Sequence, residues 1–275
     1  MKKLQMPILL LLASIFLVAC GANNKANQSD QWKQYQKSKT IIVGFDNTFV
    51  PMGYKNESGK NTGFDIDLAK AVFKQYDIAV KFQPINWDLK ETELNNGKID
   101  LIWNGYSMTK ERQEKVSFSK PYMKNEQVIV VKQSSKVKAV SDMAGKVLGA
   151  QSGSSGYDAF LKHPKRLKEV VKDKDARQYE TFTQAFIDLK SDRIDALLID
   201  RVYANYYLKQ EGQLDHYRII PSAFKGENFA VGMRKSDKTL EKKINKAFST
   251  LYQNGTFQTI SNKWFGEDVA TDFIK

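Results

Sequence analysis

The chain has 275 residues, with 43 Lys or Arg, 31 Asp or Glu, 2 His and 1 Cys, for a formal net charge of +12. A 41% hydrophobic share can build a core and excludes a wholly disordered chain; a single cysteine excludes an intramolecular disulfide framework and a Cys-rich zinc site, and neither metal nor cofactor is expected. The surplus charge by itself points to an anionic partner, nucleic acid or a membrane surface.

Met1-Lys2-Lys3 is a positive start, and Ile8–Ala19 is an apolar run of 12 residues broken only by Ser14. A membrane span needs about 20 such residues, so the run fits the apolar stretch of a secretory signal peptide. Leu17-Val18-Ala19-Cys20-Gly21 then resembles a bacterial lipoprotein signal, in which the cysteine takes lipid and becomes the new N-terminus. An ordinary cleavage site with a chance cysteine is the alternative. The expectation is a signal peptide over 1–19, lipidation at Cys20 and a lipidated flexible tether over 20–39, because residues 21–39 contain no Ile, Leu, Val, Met or Phe. Folded structure is expected to start near Thr40. Loss of Lys2 and Lys3 takes the charge to +10, and residues 132–174 carry 10 basic and 4 acidic residues. A secreted chain held at the cell membrane and facing outside rarely meets nucleic acid. The charge then suits anionic cell-surface lipid or wall polymer.

Ile41-Ile42-Val43 ending at Gly44 predicts a strand, and Phe64, Leu68, Ala71 and Val72 recur at helical spacing. Asp65 and Asp67 fall in the first turn of that helix, as dipole partners and not catalysts. Val80–Phe82 alternates like a strand. A helical stretch near 88–95, a turn at Asn96-Gly97 and an apolar strand over Ile99–Trp103 follow. Further strands are expected at Val128–Val131, Val147–Ala150 and Ile194–Ile199, and helices over Phe182–Leu189 and Leu240–Leu251, the last stopped at Asn254-Gly255. Strands alternating with helices argue for α/β layers with mostly parallel sheets. Leu94–Ile102 is echoed 95 residues later by Leu189–Leu197: helix end, turn, basic residue, Ile-Asp, buried strand. Chance convergence or two lobes of similar build both explain this.

In open α/β sheets ligands bind beyond the carboxyl ends of strands. Asn104-Gly105 and Asp200 lie just past two such strands. Thr109 is a plausible N-cap, which places Arg112 in the first turn of a helix. A cation there opposes the helix dipole unless an anion is near, and a structural salt bridge and a ligand contact both remain open. Gln151-Ser152-Gly153-Ser154-Ser155-Gly156 is a strand-to-helix turn that can offer backbone N–H groups to an anion, with the helix expected from Tyr157. His163 and His216 are isolated in polar segments and read as surface groups.

Together, Val43–Pro51, Gly63–Ala71, Thr109–Arg112, Phe118–Tyr122 and Gly255–Phe257 through Lys263–Gly266 resemble the extracellular solute-binding proteins (family 3) of polar amino acid ABC transporters, over about residues 40–270. The resemblance implies a periplasmic-binding-protein-like fold of type II, α/β, with two lobes joined by a two-crossover hinge. Lobe 1 would be 38–125 plus 226–275 and lobe 2 would be 126–225, with crossovers near Lys124–Gln127 and Lys225–Asn228. It implies that Arg112 grips the ligand α-carboxylate, helped by Ser107 and by the turn holding Ser154 and Ser155, and that Asp200 takes the α-ammonium. Asn104 and Gly105 would line the same edge, Phe49 and Trp87 would sandwich the ligand side chain, and Asp46 and Gln151 would face its polar end. Trp87 is larger than the residue in many relatives, Met52 stands where an aromatic is common, and Gln151 stands where glutamine binders can carry lysine. The implied partners are a free polar amino acid (glutamine, cystine, histidine, arginine or lysine) and an ABC permease, with the chain a monomer. A surface adhesin and a dehydratase-like enzyme on the same fold are the rival readings.

Overall fold

The β-branched run at Ile41-Ile42-Val43 forms the strand Thr40–Phe45, centre of a parallel trio with Ala79–Pro84 on one side and Leu101–Ile102 on the other. The computed structural model describes residues 29–275; the predicted signal peptide and Cys20 lie outside the described residues. Gly232–Met233 and Ser117–Phe118 extend this first sheet antiparallel, giving five strands. A second five-stranded sheet repeats the plan. Leu148–Gln151 pairs parallel with Ala176–Tyr179 and with Ala196–Asp200, and Gln127–Lys132 and Tyr217–Pro221 add antiparallel strands. Each sheet is thus mixed, its parallel part being the helix-connected trio. Gln127–Lys132 follows directly from the short strand Met123–Asn125 and runs against the other strands of its sheet.

The chain passes between the sheets twice, along Met123–Asn125 and Glu227–Phe229. These two segments pair antiparallel with each other, Glu227 opposite Asn125. Apolar faces cover the sheets. Phe64, Leu68, Ala69, Val72 and Phe73 of helix Phe64–Lys74 are buried, as are Leu240, Ile244, Ala247, Phe248 and Leu251 of helix Lys238–Gln253. The latter helix stops at Asn254, as Asn254-Gly255 predicts. Among the described residues no helix is long and apolar enough to cross a membrane.

The internal echo has one structural meaning in both halves. Gly97 and Asp192 both take positive φ, at 70° and 57°. The following Ile-Asp pairs then do the same work: Asp100 accepts the Ile42 N–H at 3.0 Å and Asp195 accepts the Val147 N–H at 2.7 Å. Each aspartate staples the start of one strand to the start of its parallel neighbour.

The tether expected over 20–39 is corrected at its C-terminal end. Trp32–Ser38 is a helix whose Trp32 and Tyr35 are buried, so folded structure begins before Thr40. Counting aliphatic residues and Phe missed it, because the two anchoring side chains are Trp and Tyr. Trp32 packs edge-on against Tyr76, and the Tyr35 hydroxyl donates to Asp100 at 3.0 Å.

Candidate functional site

Five predicted residues occupy or follow strand ends. Asp46 follows Thr40–Phe45, Asn104-Gly105 follows Leu101–Ile102, Gln151 ends Leu148–Gln151, and Asp200 ends Ala196–Asp200. The two sheets therefore point these ends at one another. Asn104 Oδ1 accepts the Asp46 N–H at 2.9 Å, and Gln151 Nε2 donates to Asp46 Oδ2 at 2.8 Å across the gap between the sheets. Asp46 Oδ1 takes both the N–H and the hydroxyl of Thr48, while burial pushes its pKa up. Phe49 lies against Phe182 and Tyr203 of the second half, with ring centroids 5.9 and 5.5 Å away. Trp87 has a different ring partner, Tyr106, edge-on at 5.9 Å.

Gly105 turns with φ +57°, and a Cβ there would lie 2.8 Å from the Phe49 ring. Its N–H donates to Asp65 Oδ2 at 2.7 Å, and the Tyr122 hydroxyl donates to the same oxygen at 2.9 Å. Asp65 is thus more than a dipole partner: it is a buried acid that fixes the turn. Burial drives its pKa to about 7 against the stabilising pull of those donors.

Thr109 Oγ1 accepts the Arg112 N–H at 3.3 Å, the cap expected from sequence. The Arg112 guanidinium is buried over the Tyr106 ring, 4.7 Å from its centroid. It donates to the Ser107 carbonyl at 3.1 Å and, across the gap, to the Gly153 carbonyl at 3.0 Å. Glu91 at 4.0 Å and Asp158 at 3.7 Å supply the anions that a cation in a first turn requires. Buried Lys90, not foreseen from the sequence, donates to the same Gly153 oxygen at 2.9 Å. Burial, then the charge of Arg112, lowers its pKa to about 8. A cavity of about 350 Å³ lies beside these groups, bordered by Lys90, Glu91, Arg112, Gly153 and Asp158. A larger groove of about 1000 Å³ runs beside the hinge strands and helix Arg201–Gln210 and holds none of the predicted site residues.

Asp200 occupies the N-cap of helix Arg201–Gln210 but makes no side-chain cap bond. Its carboxylate instead accepts from Asn125 Nδ2 at 2.6 Å and Gln127 Nε2 at 2.8 Å. The surroundings are short of donors, since Asn125 Oδ1 and Gln127 Oε1 are buried with no hydrogen-bond partner. Burial, then the neighbouring Glu227 carboxylate, raises the Asp200 pKa to about 7. Ser107 and Ser155 meet, their hydroxyl oxygens 3.0 Å apart. Helix Ser155–Lys162 begins two residues earlier than expected, because Ser154 is its N-cap and spends its hydroxyl on the Tyr157 N–H. Glu227, Gln127 and Asn125 were not foreseen. Their only signal was position, inside or beside the two expected hinge crossovers.

A model of bacterial extracellular solute-binding proteins, family 3, matches residues 41–267. The L-cystine-binding protein TcyJ of Escherichia coli strain K12 is 30% identical over 233 residues, 84% of each chain. The arginine-binding extracellular protein ArtP of Bacillus subtilis strain 168 is 30% identical across 96% of this chain and 98% of its own. Among solved structures, an ABC uptake transporter substrate-binding protein from Streptococcus pneumoniae with bound histidine superposes with a TM-score of 0.88. It is 61% identical and covers 89% of this chain and 100% of its own.

Proposed function

Because the chain belongs to the bacterial extracellular solute-binding proteins of family 3, we propose that it is the substrate-binding component of an ABC importer and captures a free polar amino acid between two closing lobes. Lobe 1 is 38–125 plus 226–275, lobe 2 is 126–225, and the paired hinge strands bend between them. The closed protein then docks on a membrane permease. Arg112 takes the ligand α-carboxylate and Asp200 the α-ammonium. Asp46 and Gln151 read the polar end of its side chain.

The observation that carries this reading is one run of close polar contacts between a buried cation and a buried anion in different halves of the protein. Arg112 holds the Ser107 backbone, the Ser107 and Ser155 hydroxyl oxygens lie 3.0 Å apart, and Gln127 Nε2 lies 3.2 Å from Ser155 Oγ and donates to Asp200 at 2.8 Å. A zwitterion needs a cation and an anion within a few ångströms, and such a pair spanning two lobes couples binding to closure.

The test is a thermal-shift and calorimetric panel of free amino acids and cystine. Histidine, bound by the 61%-identical Streptococcus pneumoniae protein, heads it. At about 100-fold above Kd a ligand stabilises by about 2.7 kcal/mol, roughly 5–10 °C for a folded chain of this length. No shift with any member would sink the reading. The same titrations carry a pH signature. The Asp200 pKa of about 7 lies above its ordinary 3.8, so below pH 7 the carboxyl holds a proton that an arriving ammonium must expel. Binding at pH 6 is expected to release most of a proton, and affinity falls by up to about tenfold per pH unit below 7. Calorimetry in buffers of different ionisation enthalpy measures this; Asp200→Asn should abolish it.

Cys20 is proposed to carry the lipid that holds the chain at the outer face of the membrane. Two acyl chains satisfy the usual need for stable anchoring. Cys20→Ser should release the protein to the medium or leave it unprocessed, and unchanged membrane attachment by fractionation would remove the anchor. The basic excess over 132–174 is proposed to face anionic lipid or wall polymer.

A further inference from the structure

Glu227 sits where the proposed ligand site needs open hydroxyls. One oxygen, Oε2, accepts from Ser107 Oγ at 2.7 Å, Ser155 Oγ at 2.8 Å and Gln127 Nε2 at 3.2 Å. Ser107 belongs to the half built on the first sheet and Ser155 to the half built on the second. Glu227 itself lies on the hinge strand, opposite Asn125. A third group from the hinge thus ties both halves together with a carboxylate.

We propose that Glu227 is a resident carboxylate that takes the Ser107 and Ser155 hydroxyls in the free protein, draws the lobes together, and must be displaced by the incoming amino acid. This rests on the proposed function for the identity of the competitor, but not for the contact itself. The geometry gives Glu227 both a seat and a way out. Ser107, Ser155 and Gln127 are buried, whereas Glu227 is only half-buried at the end of a short hinge strand, with its side chain reaching inward.

The electrostatics make the seat temporary. Gln127 Nε2 is shared between the Glu227 and Asp200 carboxylates, at 3.2 and 2.8 Å, which brings two like charges together in a buried setting. A zwitterion relieves this. Its ammonium neutralises Asp200, its carboxylate has Arg112, and Glu227 returns to solvent. Competition of this kind lowers apparent affinity by the fraction of protein in which the seat is taken. It also keeps ligands without an ammonium from displacing Glu227, since they bring nothing to offset Asp200.

The experiment compares wild type, Glu227→Gln and Glu227→Ala by small-angle X-ray scattering without ligand and by calorimetric titration with histidine, arginine and cystine. Glu227→Ala is expected to show a larger radius of gyration than wild type without ligand, and to bind roughly tenfold more tightly. Glu227→Gln, which keeps a hydrogen-bonding group but no charge, should fall between them. An unchanged radius in Glu227→Ala overturns the proposal. So does weaker binding, which would make Glu227 a ligand contact beside Asp200. If none of the three ligands binds wild type, the functional reading is what has failed, and the scattering comparison still decides whether Glu227 holds the lobes.

Discussion

Arg112→Ala is expected to weaken amino acid binding by roughly a hundredfold, about 2.7 kcal/mol, measured by calorimetry. The side chain is buried and stacked on Tyr106, with its fork already aimed at two carbonyls, Ser107 and Gly153, one from each half of the protein. Charge-assisted hydrogen bonds contribute about 1.5–3 kcal/mol each, and removal costs more than the bonds themselves. Asp158 would face the site without its cation, making it less hospitable to a carboxylate, while Glu91 keeps Lys90 at 3.4 Å. Arg112→Lys keeps charge but loses the planar fork, so it should recover only part of the affinity. Affinity within threefold of wild type in Arg112→Ala would remove Arg112 from the site.

The largest effect on folding is expected at Arg234, far from the cleft. Arg234→Ala should cost about 3–5 kcal/mol by denaturant unfolding, with little change in ligand affinity once folded. The guanidinium is 1% exposed. It donates to Asp237 at 3.0 Å, to Asp100 at 2.8 Å, to the Ile99 carbonyl at 2.9 Å and to the Tyr35 hydroxyl. Asp237 is fully buried, so the truncation leaves an uncompensated anion as well as orphaned acceptors. The same cluster joins the N-terminal helix to the first sheet, since Asp237 also accepts the Gln31 N–H at 2.9 Å. A loss below about 1 kcal/mol would show that the cluster relaxes freely.

The strand ends were legible because buried strands announce themselves as unbroken apolar runs and the chemistry sits just beyond them. Asn104, Gly105, Gln151 and Asp200 were placed on that ground. The Ile-Asp echo was legible as a pattern but not as a mechanism; only the backbone donors at Ile42 and Val147 explain why aspartate recurs. What escaped notice shares one physical cause. Asp65, Lys90, Gln127 and Glu227 are polar residues, and each acquires its role from a partner between 28 and 120 positions away. Pairing at that range is set by topology, and no local periodicity encodes it. The helix Trp32–Ser38 escaped for a different reason: two aromatic side chains suffice to dock a short helix that has no aliphatic stripe.

The Gly153 carbonyl receives both Arg112 and Lys90 from the opposite half. That acceptor is part of the main chain, so no exchange of side chain at position 153 can delete it. A Cβ there is barred in any case, because it would lie 2.8 Å from the Asp88 backbone. The groups proposed to read the ligand, Asp46 and Gln151, are by contrast ordinary side chains joined to each other at 2.8 Å. This part of the grip between the halves is therefore written in the main chain, whereas the proposed reading of the cargo is written in side chains. A duplicated gene can redraw the second while inheriting the first unchanged, a route by which one hinge can come to serve many nutrients.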